Sequence, residues 1–321
     1  MRAVLCPGQG SRPQALLPGT ETDFPGREPT RSDEVSRAVG RLVAQASGVC
    51  GLDLPELVRQ SAESPDGDPL GTHAAQPLTV LVSLLSALRA ELLVPAEDAQ
   101  VAVAGPQPGT VVAGHSLGSV TALALAGALT PLEAVRLAAV RGRAMEPCCT
   151  ADDGTRLGGM TAVVGGDREA VLAGIRAAGL TVANVNGAQQ VVASGTFEAM
   201  ARLVPPTRAR LVPLEVAGPF HCPAMAGAAP ALAQEVSTLP ERPLMRPVVD
   251  DATGGLHPVG ASSRVLLEAL AGKLTAPVRW DLAQERLLAL GTVEAVVLAP
   301  SRALAGLARR GLPGVGLTAL G

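Results

Sequence analysis

The chain has 321 residues, a net charge of −3 and 47% apolar residues, yet only three Phe, one Trp and no Tyr. That length can bury one large core or two, while the scarcity of aromatic rings and the lack of a basic stripe exclude the usual stacking and electrostatic devices for holding nucleic acid. No stretch reaches the roughly 18 uninterrupted apolar residues of a membrane span, and the five cysteines (Cys6, Cys50, Cys148, Cys149, Cys222) have neither metal-ligand spacing nor the even count of a disulfide framework.

The opening MRAVLCPGQG lacks the charged start and apolar block of a secretory signal, so a cytoplasmic protein is expected. Residues 2–6 read as a short apolar strand ending in the tight turn Pro7-Gly8-Gln9-Gly10. Pro/Gly/polar clusters at 18–33, 64–72 and 105–109 read as loops. Between 76 and 92, Leu78, Leu81, Val82, Leu85, Leu88 and Leu92 fall on one helical stripe, with Pro77 near the start. A strand over 110–113 leads into Gly114-His115-Ser116-Leu117-Gly118 and a small-residue helix to about 129. Thr130-Pro131-Leu132-Glu133 is a capping box that opens the next helix. From 158 to 216 the order is strand (160–164), helix (168–178), strand (181–185), strand (190–193), helix (197–203), strand (210–216). That βαββαβ order describes a ferredoxin-like unit inserted into a larger α/β domain. Helices near 261–272 and 281–290 then flank strands near 248 and 293–298.

Gly114-x-Ser116-x-Gly118 between a strand and a helix is a nucleophile-elbow pattern, which sets a serine at a helix N-terminus where backbone N–H groups can hold an oxyanion. The bland alternative is a glycine-rich turn with an ordinary serine. A nucleophilic serine needs a base, and the histidines are His73, His115, His221 and His257. His115, adjoining the serine in a tight turn, is expected to pack structurally; His73 and His257 are expected in solvated Gly/Pro-rich loops; His221 follows Gly218-Pro219-Phe220 just after a predicted strand. Elimination favours His221. Asp250 and Asp251 come after it, so the Ser, Asp, His order of α/β hydrolases is not met, which weakens a plain esterase reading.

In the helix beginning at Pro131, Arg136 and Arg143 share a solvated face, whereas Arg141 falls in the apolar stripe with Ala134 and Leu137. An inward arginine needs an anion, either a protein carboxylate or a substrate carboxylate held bidentately. A hydrolase of neutral esters has no use for the second.

With these residues assembled, the chain resembles the malonyl-CoA:acyl-carrier-protein transacylases from Pro7 to about Ala319. Pro7-Gly8-Gln9-Gly10-Ser11 is similar to the PGQGSQ signature, Ala75-Gln76-Pro77 to AQP, Gly114 to Gly118 to GHSLG, and Arg141-Gly142-Arg143-Ala144-Met145 to RG-x-x-M. Asn184-Val185-Asn186-Gly187 with Gln190-Val191-Val192, Phe220-His221, and Leu274-Thr275-Ala276-Pro277-Val278-Arg279-Trp280 follow in the family's order. The resemblance implies Ser116 as the acylated nucleophile, His221 as its base, the Gln9 and Leu117 N–H groups as oxyanion hole, Arg141 as clamp for the malonyl carboxylate, and Gln76 lining the pocket. It implies a backbone carbonyl at Lys273, where glutamine is usual, as the group orienting His221. By likeness to polyketide acyltransferases, Phe220 argues for malonyl over a branched extender unit. The chain departs from the pattern at Arg12, at Ser119 in place of a common glutamate, at Asp251 in place of asparagine, and at Pro300-Ser301-Arg302. Cys148-Cys149 has no counterpart in the pattern.

The expected fold is an α/β-hydrolase-like catalytic subdomain with a parallel sheet (1–148 and 217–321) carrying a ferredoxin-like subdomain (149–216). The expected reaction uses malonyl-CoA and a holo acyl carrier protein, with no cofactor beyond the coenzyme A thioester, no metal, no membrane and a monomeric enzyme. A serine (thio)esterase, an acyltransferase of a dedicated polyketide pathway and a non-catalytic carrier-binding relative are the rival readings.

Overall fold

A computed structural model of the chain describes residues 1–9, 31–63, 70–96, 101–105, 107–300 and 302–320. Gly10, Ser11 and Arg12 of the first motif, Ser301, and most of the loops expected at 18–33 and 64–72 lie outside the described residues.

Six strands form the main sheet: β1 (Arg2–Cys6), β4 (Thr110–Gly114), β9 (Val248–Val249), β10 (Leu256–His257), β11 (Glu294–Val297) and β12 (Gly316–Ala319), in the order β10-β9-β4-β1-β11-β12. All neighbours are parallel except β10 with β9. In the middle, Val4 pairs with Val112 on one side and Val296 on the other. β4 is buried along its whole length and β1 from Ala3 to Cys6. That explains why both read as unbroken apolar runs: helices cover each face of a parallel sheet, so neither face alternates with polar residues.

The covering helices include α1 (Arg31–Cys50), α2 (Leu54–Glu63), α3 (Thr72–Arg89), α4 (Gly118–Leu125) and α5 (Pro131–Met145) on the N-terminal side of the chain. The structure corrects several sequence expectations here. α1 and α2 went unforeseen, although Ala38, Val39, Leu42 and Ala46 of α1 are buried at helical spacing; the loop expected at 18–33 overran its first turn. α3 begins at Thr72, so Pro77 sits inside the helix and His73 in its first turn, not in a loop. It is buried on nearly every side from Thr72 to Leu88, not along a single stripe, which is the mark of a helix sunk into a core. α4 stops at Leu125, four residues early, where Gly127 adopts a left-handed backbone. A short antiparallel pair, β2 (Leu93–Pro95) and β3 (Val101–Val103), joins α3 to β4.

α5 starts as expected. Thr130 Oγ1 accepts a hydrogen bond from Glu133 N, and the Glu133 carboxylate accepts one from Thr130 N, the reciprocal cap of the motif. The helix packs against α3 so closely that a Cβ on Gly142 would collide with the Thr72 carbonyl, and Thr72 Oγ donates to Gly142 O at 2.8 Å. Arg136 and Arg143 face outward; Arg141 is buried.

The inserted segment is a four-stranded antiparallel sheet of β5 (Gly159–Gly165), β6 (Thr181–Gly187), β7 (Gln190–Gly195) and β8 (Ala209–Pro213), ordered β6-β7-β5-β8. With α6 (Arg168–Ala177) and α7 (Phe197–Ala201) it encloses its own core around Val163, Ile175, Val185, Val191 and Ala193. Backbone bonds from Val185 N to Val278 O and from Val278 N to Ala183 O stitch this sheet to the larger unit. The chain closes with α8 (Ala229–Thr238), α9 (Arg264–Gly272), α10 (Trp280–Ala289) and α11 (Arg302–Gly311).

Candidate active site

Ser116 occupies the turn between β4 and α4 with φ +54°, a left-handed conformation that only surrounding structure can hold in a non-glycine residue. Its flanking glycines are set by close approach: a Cβ on Gly114 would run into the backbone of Gly118, and one on Gly118 into the Cys6 carbonyl of β1. Strand, turn, helix and neighbouring strand are therefore in backbone contact around the serine.

His221 comes from the opposite side, on the segment after β8. It is only 4% exposed, its φ is +55°, and its Nε2 lies 2.6 Å from Ser116 Oγ. Its Nδ1 lies 3.0 Å from Lys273 O and 3.2 Å from Ala276 O. Carbonyls only accept, so Nδ1 carries the proton and donates, which leaves the Nε2 lone pair to accept from the serine hydroxyl. Burial, reinforced by the Arg141 cation, pushes the imidazole down to about 4. A neutral imidazole is the form a general base requires.

Arg141 is 7% exposed and shares with Ser116, His221, Asp251, Lys273 and Leu270 the lining of one cavity. Burial lowers its guanidinium to about 10. Nη1 donates to Gln76 Oε1 at 2.7 Å, and among the described residues no carboxylate forms an ion pair with it. Gln76 does not line the cavity as expected; it is buried behind the arginine, holding its head group and donating in turn to Met145 Sδ at 3.3 Å. Phe220 is likewise absent from the lining and packs into the large core, because adjacent side chains of the non-helical segment point apart and His221 takes the cavity side.

The elbow amides divide by use. Gly118 N donates to His115 O and Ser119 N to Ser116 O, closing the turn; Ser116 N donates to Asp251 Oδ2 at 2.7 Å. Leu117, the N-cap of α4, has no acceptor for its N–H among the described residues. Gly8 abuts the His115 carbonyl, with its Cβ direction ending 2.7 Å away, which brings Gln9 beside the elbow. His115 is structural: Nε2 meets Asn186 Oδ1 at 2.9 Å and the ring lies edge-on to Trp280. Asn186 also donates to Gln190 Oε1, so the N-x-N…Q-x-V segment ties the smaller sheet to the elbow. His73 lies 3.3 Å from Glu146, and His257 is in β10; neither lines the cavity. Cys149 is buried with its sulfur against Gly218, ahead of the His221 turn, and burial pushes its thiol up to about 12.

Sequence reasoning missed Asp251. Looking for an acid to pair with the histidine, it discarded the aspartate that instead accepts from the nucleophile's own backbone, from Ser119 Oγ at 3.0 Å and from Lys273 Nζ at 2.8 Å. The available signal was that Ser119, Asp251 and Lys273 are all departures from the family pattern.

The acyl transferase domain family matches residues 49–300. The malonyl CoA-acyl carrier protein transacylase of Mycobacterium tuberculosis strain H37Rv is 34% identical over 317 residues, covering 98% of this chain and 94% of that protein. The crystal structure of the M. tuberculosis MCAT superposes with a TM-score of 0.78 at 31% identity, covering 99% of this chain and 96% of that one. A type II polyketide-synthase acyl-carrier protein in complex with its malonyl-transacylase gives 0.79 at 26% identity, covering 99% and 95%. The family match and the similarity along nearly the whole chain agree: the chain belongs to the malonyl CoA-acyl carrier protein transacylase family of acyl transferases.

Proposed function

We propose that this chain transfers a malonyl group from malonyl-CoA to the phosphopantetheine thiol of an acyl carrier protein through an acyl-Ser116 intermediate. The observation that carries the reading is Arg141: a buried guanidinium that opens onto the same cavity as the serine and, among the described residues, forms no ion pair with a carboxylate. Such a group is left for an anionic substrate to complete.

His221 Nε2 takes the Ser116 proton as Oγ attacks the thioester carbonyl. The Leu117 and Gln9 N–H groups receive the oxyanion, each contributing about 3 kcal/mol to lowering the barrier. The tetrahedral adduct collapses, and His221 returns the proton to the departing coenzyme A sulfur. The carrier thiol then attacks the malonyl-serine by the reverse course. Throughout, Lys273 O holds Nδ1–H, so the imidazole keeps the tautomer that can accept at Nε2. Acetyl-CoA would leave the guanidinium without its anion, which disfavours it. We take the enzyme to act as a monomer in the cytoplasm.

Intact-mass measurement tests this directly. Mixing with malonyl-CoA is expected to add one malonyl group, absent in Ser116→Ala, and holo acyl carrier protein is expected to remove it onto its own thiol. Loss of the label to water at the same rate with and without carrier would instead mark a hydrolase.

A further inference from the structure

Beneath the nucleophile lies a group of charges that the reaction scheme does not use. Asp251, 2% exposed, has both carboxylate oxygens engaged: Oδ2 accepts from Ser116 N at 2.7 Å, and Oδ1 from Ser119 Oγ at 3.0 Å and Lys273 Nζ at 2.8 Å. Lys273 Nζ also donates to Asp250 Oδ2. Asp250 Oδ1 in turn accepts from Ala252 N, Thr253 N and Thr253 Oγ, fixing the turn after β9. The same Lys273 presents its backbone carbonyl to His221 Nδ1 at 3.0 Å. One ion pair therefore reaches both partners of the 2.6 Å Ser116–His221 contact: its anion grips the serine's amide, and its cation belongs to the residue that aims the imidazole.

We propose that Asp251 and Lys273 form a positioning pair for acylation: the carboxylate holds the left-handed backbone of Ser116, and the ammonium locks that carboxylate to the segment whose carbonyl orients His221. The inference rests on the malonyl-transfer reading above. Neither residue is a catalytic residue on this account, since each acts through the serine or the histidine.

The donor and acceptor inventory makes the pair hard to change singly. Ser116 N–H and Lys273 Nζ are both donors, and they address opposite oxygens of Asp251. An asparagine offers one acceptor and one NH₂ group, so in Asp251→Asn one of these donors must face another donor. Adding Lys273→Gln removes the conflict. The asparagine oxygen accepts from Ser116 N, its NH₂ donates to the glutamine oxygen, and the glutamine NH₂ donates to Asp250. Ser119, Asp251 and Lys273 are also the three positions near the serine where this chain departs from the family pattern, and here they touch one another. The exchange is collective, one polar network replaced by another.

The test is a double-mutant cycle read by quenched-flow acylation of Ser116 with malonyl-CoA, with KM and thermal unfolding measured on each protein. Asp251→Asn is expected to slow acylation about ten- to a hundredfold while KM stays within about threefold, the scale for losing a charge-assisted hydrogen bond. Lys273→Gln is expected to fall between it and the native chain. Asp251→Asn with Lys273→Gln is expected to recover to within about threefold of native. A role confined to stability would move the unfolding temperature and the active fraction but not the rate constant of the folded enzyme. Native acylation rates in Asp251→Asn would overturn the proposal. So would a double variant no faster than Asp251→Asn, or one that fails to fold, whether or not Asp251→Asn itself folds. Failure of the native chain to take malonyl at all would sink the functional reading first, and this inference with it.

Discussion

Replacing Arg141 by alanine separates malonyl recognition from the general machinery of acyl transfer. The guanidinium is buried, its Nη1 is committed to Gln76, and the residue lines the cavity it shares with Ser116. In the native enzyme the malonyl carboxylate would pair with the guanidinium through charge-assisted hydrogen bonds in a desolvated site, where losing one partner costs about 2–5 kcal/mol. At 1.36 kcal/mol per tenfold, kcat/KM for malonyl-CoA should fall by roughly 30- to 5,000-fold. Acetyl-CoA makes no such pair, and the truncation relieves an unmatched cation, so its rate should hold or rise. Gln76 Oε1 loses its donor, a stability cost of about 1–3 kcal/mol that affects both substrates alike. The assay is acyl-Ser116 formation by intact mass against time with each thioester, normalised to folded protein. Equal losses for malonyl and acetyl would refute the assignment of Arg141 as the carboxylate clamp.

Because burial and the Arg141 cation hold His221 at about 4, against 6.5 for the free side chain, the base stays neutral down to about pH 4, and the acid limb of kcat/KM for acylation should lie there. Removing Arg141 deletes one of the depressing influences, the largest after burial, so the acid limb of acetyl transfer by Arg141→Ala should move upward in pH; an unmoved limb would contradict the cause given. The same shift has a stability counterpart. The unfolded histidine binds its proton first, so the contribution is complete above 6.5 and is lost as pH falls towards about 4, on the order of 3 kcal/mol in all, measurable as a fall in unfolding midpoint. Gly142→Ala should destabilise the fold by about 1–2 kcal/mol, an overpacking cost in the upper part of the ~1–3 kcal/mol range less a helix-propensity gain of ~1 kcal/mol. Its new Cβ meets the Thr72 carbonyl, a backbone atom that cannot swing aside. Urea unfolding decides the matter, and an unchanged or raised midpoint would show that the two helices can part at no cost.

The elements legible in the sequence were those whose signals are local. The capping box at Thr130 named the start of α5 to the residue, and the seven-residue spacing of Arg136 and Arg143 left Arg141 facing inward. The alternation of short strands and amphipathic helices from 159 to 213 likewise gave βαββαβ in order. Where the environment rather than the pattern decides, the reading slipped. α3 is apolar all round, so its stripe is not the informative feature, and its start at Thr72 is set by contacts with Gly142 and Glu146 that lie seventy or more residues away in the chain. The site divides the same way. Ser116 and His221 follow from the elbow motif and elimination, and the structure brings them to hydrogen-bond distance. Gln76 was placed at the pocket, and Phe220 made a specificity residue, by family likeness, but side-chain direction depends on backbone turns that a motif does not encode. Asp251 was overlooked for a further reason: its contact with the serine is to a backbone amide, a donor that leaves no residue type to search for, so only the joint departure of Ser119, Asp251 and Lys273 from the family pattern pointed to it.

Both Ser116 and His221 sit at positive φ, +54° and +55°, and that shared handedness restricts which replacements either position tolerates. A β-branched residue is strongly disfavoured in this region, whereas asparagine and aspartate enter it more readily than most. Threonine, though it carries a hydroxyl, is therefore a poor alternative nucleophile at 116, while cysteine keeps the unbranched Cβ that the turn accepts. At 221, asparagine removes the imidazole with less disturbance of the backbone than valine or isoleucine. Evolutionary or engineered change of the reacting atom in this scaffold is confined to swapping oxygen for sulfur, since the turn itself rejects the other alcohol.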